Sequence, residues 1–590
     1  MGNKILWLGI NAKYSHTSLA IRYLREAVPE SSIMELTINH QLLAMLGEIY
    51  ESQPKVIGIA CYIWNIEIVK NLLKLLSAAL PSTIIICGGP EVSYETKEFM
   101  QEFSMVDYVC RGEAEEALPK LIKLLRENDF AIAKANSVLS KTSIKGIAWR
   151  EISADVSNVI QESQAVTVAD IAKLPFPYQA GEIKSIKERI LYYETSRGCP
   201  FACAYCLSCA TAGVRFLPLN RVFQELDFFV QNDVRQVKFV DRTFNAKKSH
   251  FLPILKYLLG LPKTCRTNFH FEVAIDYLDA EVMQILSQMP KGRVQLEIGI
   301  QSTNEITLQA VSRLNHWTKI AEHIKKIMSF HNMHLHVDLI IGLPGEGMAS
   351  FAKSFNDVYA LQTDMLQLGF LKFLKGATMM NLVKKYHYQY MAMAPYEVLV
   401  SDALSYGEIR WLHSFEQVFE LYYNAGRCRH TAEFMIAEFA LGNAFSFWQQ
   451  FTNWWERQGF HRIGHSTKNL YGYLADFCQS EYNVAKDLLD CLLRYDALLA
   501  DNGRIRPENL NWNKERYQKR TAAFWKGLPS VVREYLPDYE FTNWRDVNKK
   551  YHLEIFDYDV TDKTNPRKQE TVILFDFTHG KTKCQTIALA

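Results

Sequence analysis

Cys199, Cys203 and Cys206 stand as C-x3-C-x2-C in TSRGCPFACAYCLSC, residues 195–209, with Tyr205 just before the third. A cubane iron–sulfur cluster normally takes four thiolates. Three from one short loop leave one iron without a protein ligand, and a small molecule can fill that position. Two other readings stay open on the cysteines alone. Structural zinc takes four closed ligands, commonly two pairs far apart. Cys209 follows Cys206 at C-x2-C, so four thiolates lie in one loop, and a fourth thiolate on a cluster would make it ferredoxin-like. We read Cys209 as a nearby thiol. Cys61, Cys87, Cys110, Cys265, Cys428, Cys478, Cys491 and Cys584 are scattered, several in apolar strand-like runs, and read as buried, inert thiols.

The elements that must carry this loop alternate strand and helix. Residues 4–10 (KILWLGI) read as a buried strand and 17–27 as a helix. Strands follow at 55–60, 83–87 and 106–110, with helices at 65–80, 94–102 and 114–127. Continuous apolar strands between helices predict a doubly wound parallel sheet, with ligands beyond the carboxyl ends of its strands. The loops there hold Ser15, His16 and Thr17, then Cys61-Tyr62-Ile63-Trp64-Asn65, then Gly88-Gly89-Pro90-Glu91, where two glycines let backbone approach a bulky ligand. Ser15, Thr17 and Ser18 are candidates to cap the helix or to bond a ligand. Residues 131–189 break the rhythm with a hairpin near 146–161 and the extended LPFPY at 174–178, and read as a connection.

From about 190 the alternation returns, with strands at 190–194, 236–241, 269–275, 293–300, 334–341 and 366–373. Active sites of such barrels gather at the carboxyl ends of the strands. Those ends supply Asp241, Arg242, Thr243 and Asn245, then Glu272, then Glu297 and Gln301 on one strand face, then Asp338 and Gly342 in HVDLIIGLPGE. A buried carboxylate such as Glu297 needs a partner. Asp338 and Glu272 divide evenly between structural pairing and catalytic duty. Arg313 reads as a solvated helix residue.

With Pro200 and Phe201 after the first cysteine, the loop resembles that of the radical S-adenosylmethionine (SAM) enzymes, and the first domain resembles the cobalamin-binding domain of their cobalamin-dependent members. The second resemblance rests on ICGGPEVS and on YVCRGEAEEAL, residues 108–118. It implies a 4Fe-4S cluster on Cys199, Cys203 and Cys206, SAM on the open iron beside Tyr205, Asp241, Thr243, Asn245, Glu297, Gln301 and Gly342, and cobalamin near Ser15, His16, Thr17, Gly88 and Gly89. Where that family carries D-D-x-F, this chain has Asp241-Arg242-Thr243-Phe244, a charge reversal. Some cobalamin domains place an axial histidine in D-x-H-x-x-G; here Tyr14 and Leu19 replace the Asp and the Gly around His16. Relatives often bind cobalamin without a protein nitrogen on cobalt, so the cofactor remains expected.

The fold class expected is α/β. A cobalamin-binding-like sheet spans 1–130, a linker 131–189, a partial (β/α)6 barrel 190–375 and a mostly helical domain 376–590. The last resembles an uncharacterised C-terminal domain of one subgroup of the family, and is expected to cap the barrel. Its Trp448, Trp454 and Trp455 read as aromatic core rather than cavity lining. The net charge of +2 gives no overall field for nucleic acid, and no apolar run reaches a membrane span. Twelve cysteines with no secretory leader imply a reducing cytoplasm.

The resemblance implies reductive cleavage of SAM to a 5′-deoxyadenosyl radical, then methylation of an unactivated carbon of a small-molecule or peptide substrate, with a flavodoxin or ferredoxin as electron donor. Cobalamin-dependent rearrangement or cyclisation, and a cobalamin or SAM sensor without turnover, are the alternatives. A tRNA methylthiotransferase would need a further cluster that Cys61, Cys87 and Cys110 do not have the loop spacing to hold.

Overall fold

The computed structural model describes residues 4–151, 159–210, 213–512, 514–526, 530–536, 547, 550–578 and 582–588. The side chain of Cys209, and its reading as a nearby thiol, lie outside what is described. The chain forms two compact units, Met1–Phe351 with Leu368–Tyr406, and Ala352–Gln367 with Gly407–Ala590. Among the described residues no helix is long and apolar enough to cross a membrane.

The first unit opens with a seven-stranded sheet of order 2-1-3-4-5-6-7: Ile5–Asn11, Ser31–Thr37, Val56–Ala60, Ile84–Gly88, Tyr108–Cys110, Ile147–Glu151 and Val159–Glu162. The first five run parallel, and Ile147–Glu151 lies antiparallel between Tyr108–Cys110 and Val159–Glu162. In Ile5–Asn11, Leu6, Leu8 and Ile10 enter the core under helices Leu42–Ser52 and Ile66–Ala79. Ile5 and Trp7 enter the opposite core, under Leu19–Ala27 and Ala117–Glu127. This period of two is what lets a continuous apolar strand serve two helical layers. The strand Ser31–Thr37 and the helix after it are additions to the sequence reading. The expected connector hairpin instead pairs along Tyr108–Cys110 and extends the sheet.

The second sheet has six strands, Ile190–Tyr193, Gln236–Phe239, Asn268–Glu272, Val294–Gln301, His334–Ile341 and Met365–Phe370, in sequence order across the sheet. The first five are parallel. In Val294–Gln301 the apolar Val294, Leu296, Ile298 and Ile300 are buried, while Glu297, Gly299 and Gln301 take the other face, as the alternation predicts.

The second unit is mainly helical. Trp448, Trp454 and Trp455 are all buried among its phenylalanines, in agreement with the core reading. The strand containing TVILFD is the middle one of a three-stranded antiparallel sheet.

Candidate active site

The cysteine loop is built on a two-residue antiparallel pair, Ser196–Arg197 with Arg215–Phe216. Gly198 follows at φ +102, and a Cβ there would stand 2.1 Å from Gly213 O, so only glycine fits where the two limbs meet. Asp241, fully buried at the end of the second barrel strand, holds the entry. It accepts from Thr195 N (2.9 Å), Thr195 Oγ1 (2.7 Å) and Ser196 Oγ (2.5 Å). Further on, Ala204 N donates to Val311 O at 2.9 Å, and Ala204 O accepts from Met379 N at 2.8 Å.

The loop faces a cavity of about 170 Å³ over the barrel. Of the residues picked from sequence, Cys199, Cys203, Cys206, Tyr205, Thr243, Glu272, Glu297, Gln301 and Asp338 all line it. No fourth thiol lines it among the described residues. Thr243 Oγ1 lies 3.5 Å from Cys199 Sγ. Arg313, read as solvated, is instead a cavity residue. Its Nη1 donates to Cys203 Sγ (3.7 Å) and to the Tyr205 phenol oxygen (3.3 Å), and its Nη2 donates to Gly299 O. A Cβ on Gly299 would stand 2.2 Å from the Gln301 side-chain amide, so any larger residue there has to displace that amide.

Below the cavity the inward faces of the strands carry charge. Lys238 Nζ bonds Glu297 Oε2 at 2.8 Å, and His270 Nε2 lies 3.0 Å from the same oxygen. Burial raises the Glu297 carboxyl, but His270 and Lys238 outweigh it and hold it down at about 2. Among the described residues no lysine, arginine or histidine pairs with Glu272. Burial first, then the Glu297 charge, push it up to about 7. His336 Nε2 stands 3.0 Å from Asp338 Oδ1. Glu297, His336 and Asp338 present ligand atoms within 4.8 Å of one another. The Lys238 ammonium already neutralises Glu297, so we read this trio as an ion-pair network rather than a metal centre.

A second cavity, about 310 Å³ and largely apolar, opens at the carboxyl ends of the first sheet's strands. Gly88 and Gly89 line it, as expected, with Trp7, Tyr62, Ser93, Cys110 and Glu115. Gly89 takes φ +110, and its backbone packs so closely on Cys61 that a Cβ would lie 2.4 Å from Cys61 O. Leu207, the residue after Cys206, belongs to the same lining, so the cysteine loop walls both cavities. Cys61, Cys87 and Cys110 are buried, and burial pushes the Cys110 thiol up to about 12, which keeps it protonated. Of the remaining thiols, Cys265 is half-buried and Cys584 exposed, unlike the buried default.

Six expected contacts are not part of either lining. The loop with Ser15, His16 and Thr17 docks on the first barrel strand. Ser15 O accepts from Ile190 N (2.7 Å), Thr17 Oγ1 donates to Ile190 O (2.9 Å), and His16 Nδ1 pairs with Tyr192 OH (3.0 Å). Burial and Lys13 lower the His16 pKa. Ser18 caps the helix without a side-chain bond. Asp241 is consumed by the loop entry. Asn245 ties the second strand's exit to the third strand's, through Ala274 O (2.7 Å) and Ala274 N (2.9 Å). Gly342, at φ +89, turns its carbonyl to Tyr388 OH at 2.8 Å. Lys238, His270 and His336 were missed, although each shares the inward parity of a named carboxylate on its own or the next strand. Arg313 gave no local signal; it comes into the cavity by a turn with Ser312 at φ +56.

Comparison with known proteins matches three stretches of the chain. Residues 5–122 match the B12 binding domain, 193–358 the radical SAM superfamily, and 384–575 a domain described as a protein of unknown function, DUF4080. The chain carries a B12 binding domain and a radical SAM domain. The chain is 24% identical over 380 residues to the cobalamin-dependent radical SAM methyltransferase TokK of Streptomyces tokunonensis, covering 59% of the chain and 52% of the relative. It is 24% identical over 324 residues to the 2-(S-pantetheinyl)-carbapenam-3-carboxylate methyltransferase of Streptantibioticus cattleyicolor, covering 51% and 44%. It thus spans about half the length of these relatives. Its fold matches the cobalamin-dependent SAM radical enzyme OxsB, solved with aqua-cobalamin, at a TM-score of 0.58 and 13% identity, over 86% of the chain and 82% of that structure.

Proposed function

We propose that the chain is a cobalamin-dependent radical SAM methyltransferase that acts on an unactivated carbon of a small-molecule or peptide substrate. The observation that carries this reading is the sharing of one loop by two cavities. Cys199, Cys203 and Cys206 face the barrel, and Leu207, one residue on, walls the cavity of the B12 binding domain.

The residues present suit both groups. Three thiols lining one cavity, with no described fourth, suit a cluster with an exchangeable corner. The sheet cavity, apolar and glycine-lined with one unpartnered carboxylate oxygen on Glu115, suits part of a cobalamin. Its lining holds no histidine among the described residues that would offer a nitrogen to the cobalt. The cluster with SAM supplies single-electron chemistry, and cobalamin a methyl carrier.

The rest is the work of the chain's own groups. Arg313 places positive charge against Cys203, and Thr243 a hydroxyl against Cys199. Lys238 and His270 keep Glu297 ionised, while Glu272 stands near neutrality and can take or give a proton at the cavity wall. A flavodoxin or ferredoxin is the expected electron donor, in the cytoplasm.

The test is anaerobic incubation of the reconstituted full chain with SAM, hydroxocobalamin and a strong reductant. Release of 5′-deoxyadenosine together with S-adenosylhomocysteine supports the reading. 5′-Deoxyadenosine alone points to radical chemistry without methyl transfer, and the absence of both products to a sensor.

A further inference from the structure

We propose that Glu115 is a positioning residue that couples occupancy of the sheet cavity to the cysteine loop. The inference rests on reading that cavity as the cobalamin site. Glu115 lies in the turn after Tyr108–Cys110 and lines the cavity. Its Oε1 accepts from Arg197 Nη2 at 2.7 Å. Its Oε2 is buried and has no hydrogen-bond partner among the described residues.

Arg197 stands two residues before Cys199. Its Nε and Nη2 donate to Glu194 at 2.9 and 2.7 Å, its Nη1 lies 3.2 Å from Glu113, and its guanidinium packs over the Tyr23 ring at 5.3 Å. One guanidinium thus pins the entry of the cysteine loop to the B12 binding domain. At the other end Leu207 walls the same cavity. The segment carrying the three thiols is gripped on both sides by groups that line the cavity or hold a residue that does.

A buried acceptor without a donor is costly, and a ligand that brings an N–H to it removes that cost. Oε2 calls for an N–H or O–H donor and repels a carboxylate or phosphate, which suits the carboxamides on a corrin rim. Satisfying Oε2 fixes the carboxylate, and through Oε1 the guanidinium and the loop entry. Coupling of this kind is reciprocal: a loop ordered by its cluster raises the affinity of the cavity by the same factor by which cobalamin favours the cluster.

The experiment measures hydroxocobalamin binding by equilibrium dialysis to the full chain, with and without its reconstituted cluster. Wild-type protein is expected to bind about fivefold or more tightly when the cluster is present. Glu115→Gln keeps an oxygen for Arg197 but turns the cavity-facing atom into a donor, and its ratio should fall to near one. Arg197→Lys, which keeps the charge and loses the fork, should lose the ratio in the same way. A general loss of stability weakens both forms and leaves the ratio in place. A wild-type ratio of one, or a wild-type ratio retained in Glu115→Gln, overturns the coupling while the cobalamin site stands. No binding by either wild-type form overturns the cobalamin reading itself.

Discussion

Arg313 Nη1 donates to Cys203 Sγ across 3.7 Å, a cation set against one of the three thiols that lead the chain's chemistry. The potential of an iron–sulfur cluster follows its net charge and the hydrogen bonds to its sulfurs. Arg313→Gln removes one full charge and should make the reconstituted cluster harder to reduce, by about 59 mV or more, a tenfold change in a one-electron equilibrium. A redox titration followed by electron paramagnetic resonance reads the shift. An unchanged midpoint would show that Arg313 serves Tyr205 and Gly299 alone.

Glu272 gives a pH dependence with a defined sign. Its carboxyl moves from the ordinary 4.5 up to about 7 on folding, chiefly through burial and then through Glu297. Between those values the folded chain keeps a proton that the unfolded chain releases, so this group's contribution to stability falls as pH rises. Glu272→Gln removes the penalty. Its gain over wild type should be near zero at pH 4 and grow to at most ~3 kcal/mol above pH 7, where the carboxylate would have to ionise in place. Thermal melts of the two proteins across this range check it, and a gain that shrinks with rising pH contradicts the assignment.

Asp241 takes three hydrogen bonds from the loop entry. Asp241→Ala leaves those buried donors unpaired, at roughly 1–3 kcal/mol each before relaxation. The fold of the barrel should survive, with iron content after reconstitution well below wild type. Full iron incorporation in a folded variant would mean that the entry does not depend on this carboxylate.

Gly88 lines the sheet cavity, and a Cβ there meets Cys110 Cβ at an ordinary 3.4 Å. Gly88→Val should therefore fold while filling part of the space. Hydroxocobalamin affinity should drop at least tenfold, about 1.4 kcal/mol, with the cluster unaffected. Equal affinity would place the ligand elsewhere.

Much of this arrangement is legible in the chain. The runs ILWLGIN, VIGIA and IIICG are buried on both faces, and such strands announce themselves as continuous apolar segments. SSIMELT does not, because as an edge strand it is half exposed and carries no clean period. The hairpin 147–162 was visible as strands, yet nothing local says that a strand will pair antiparallel with an existing sheet edge. Cavity residues on strands follow parity, which is why Glu297 and Gln301 came together. The docking of Ser15, His16 and Thr17 on Ile190 and Tyr192 leaves no local signal, because those partners lie more than 170 positions away in sequence. Arg313 was missed for the same reason, its thiol partner lying 110 residues earlier.

The central claim is that the protein leaves one iron corner of its cluster to SAM. Mössbauer spectroscopy of the iron-57-reconstituted chain, with and without SAM, tests it most directly. The account predicts that SAM changes the signal of a single iron site, and that Cys209→Ala leaves that response intact. A spectrum indifferent to SAM, with the remaining corner held by a further thiolate, would contradict it.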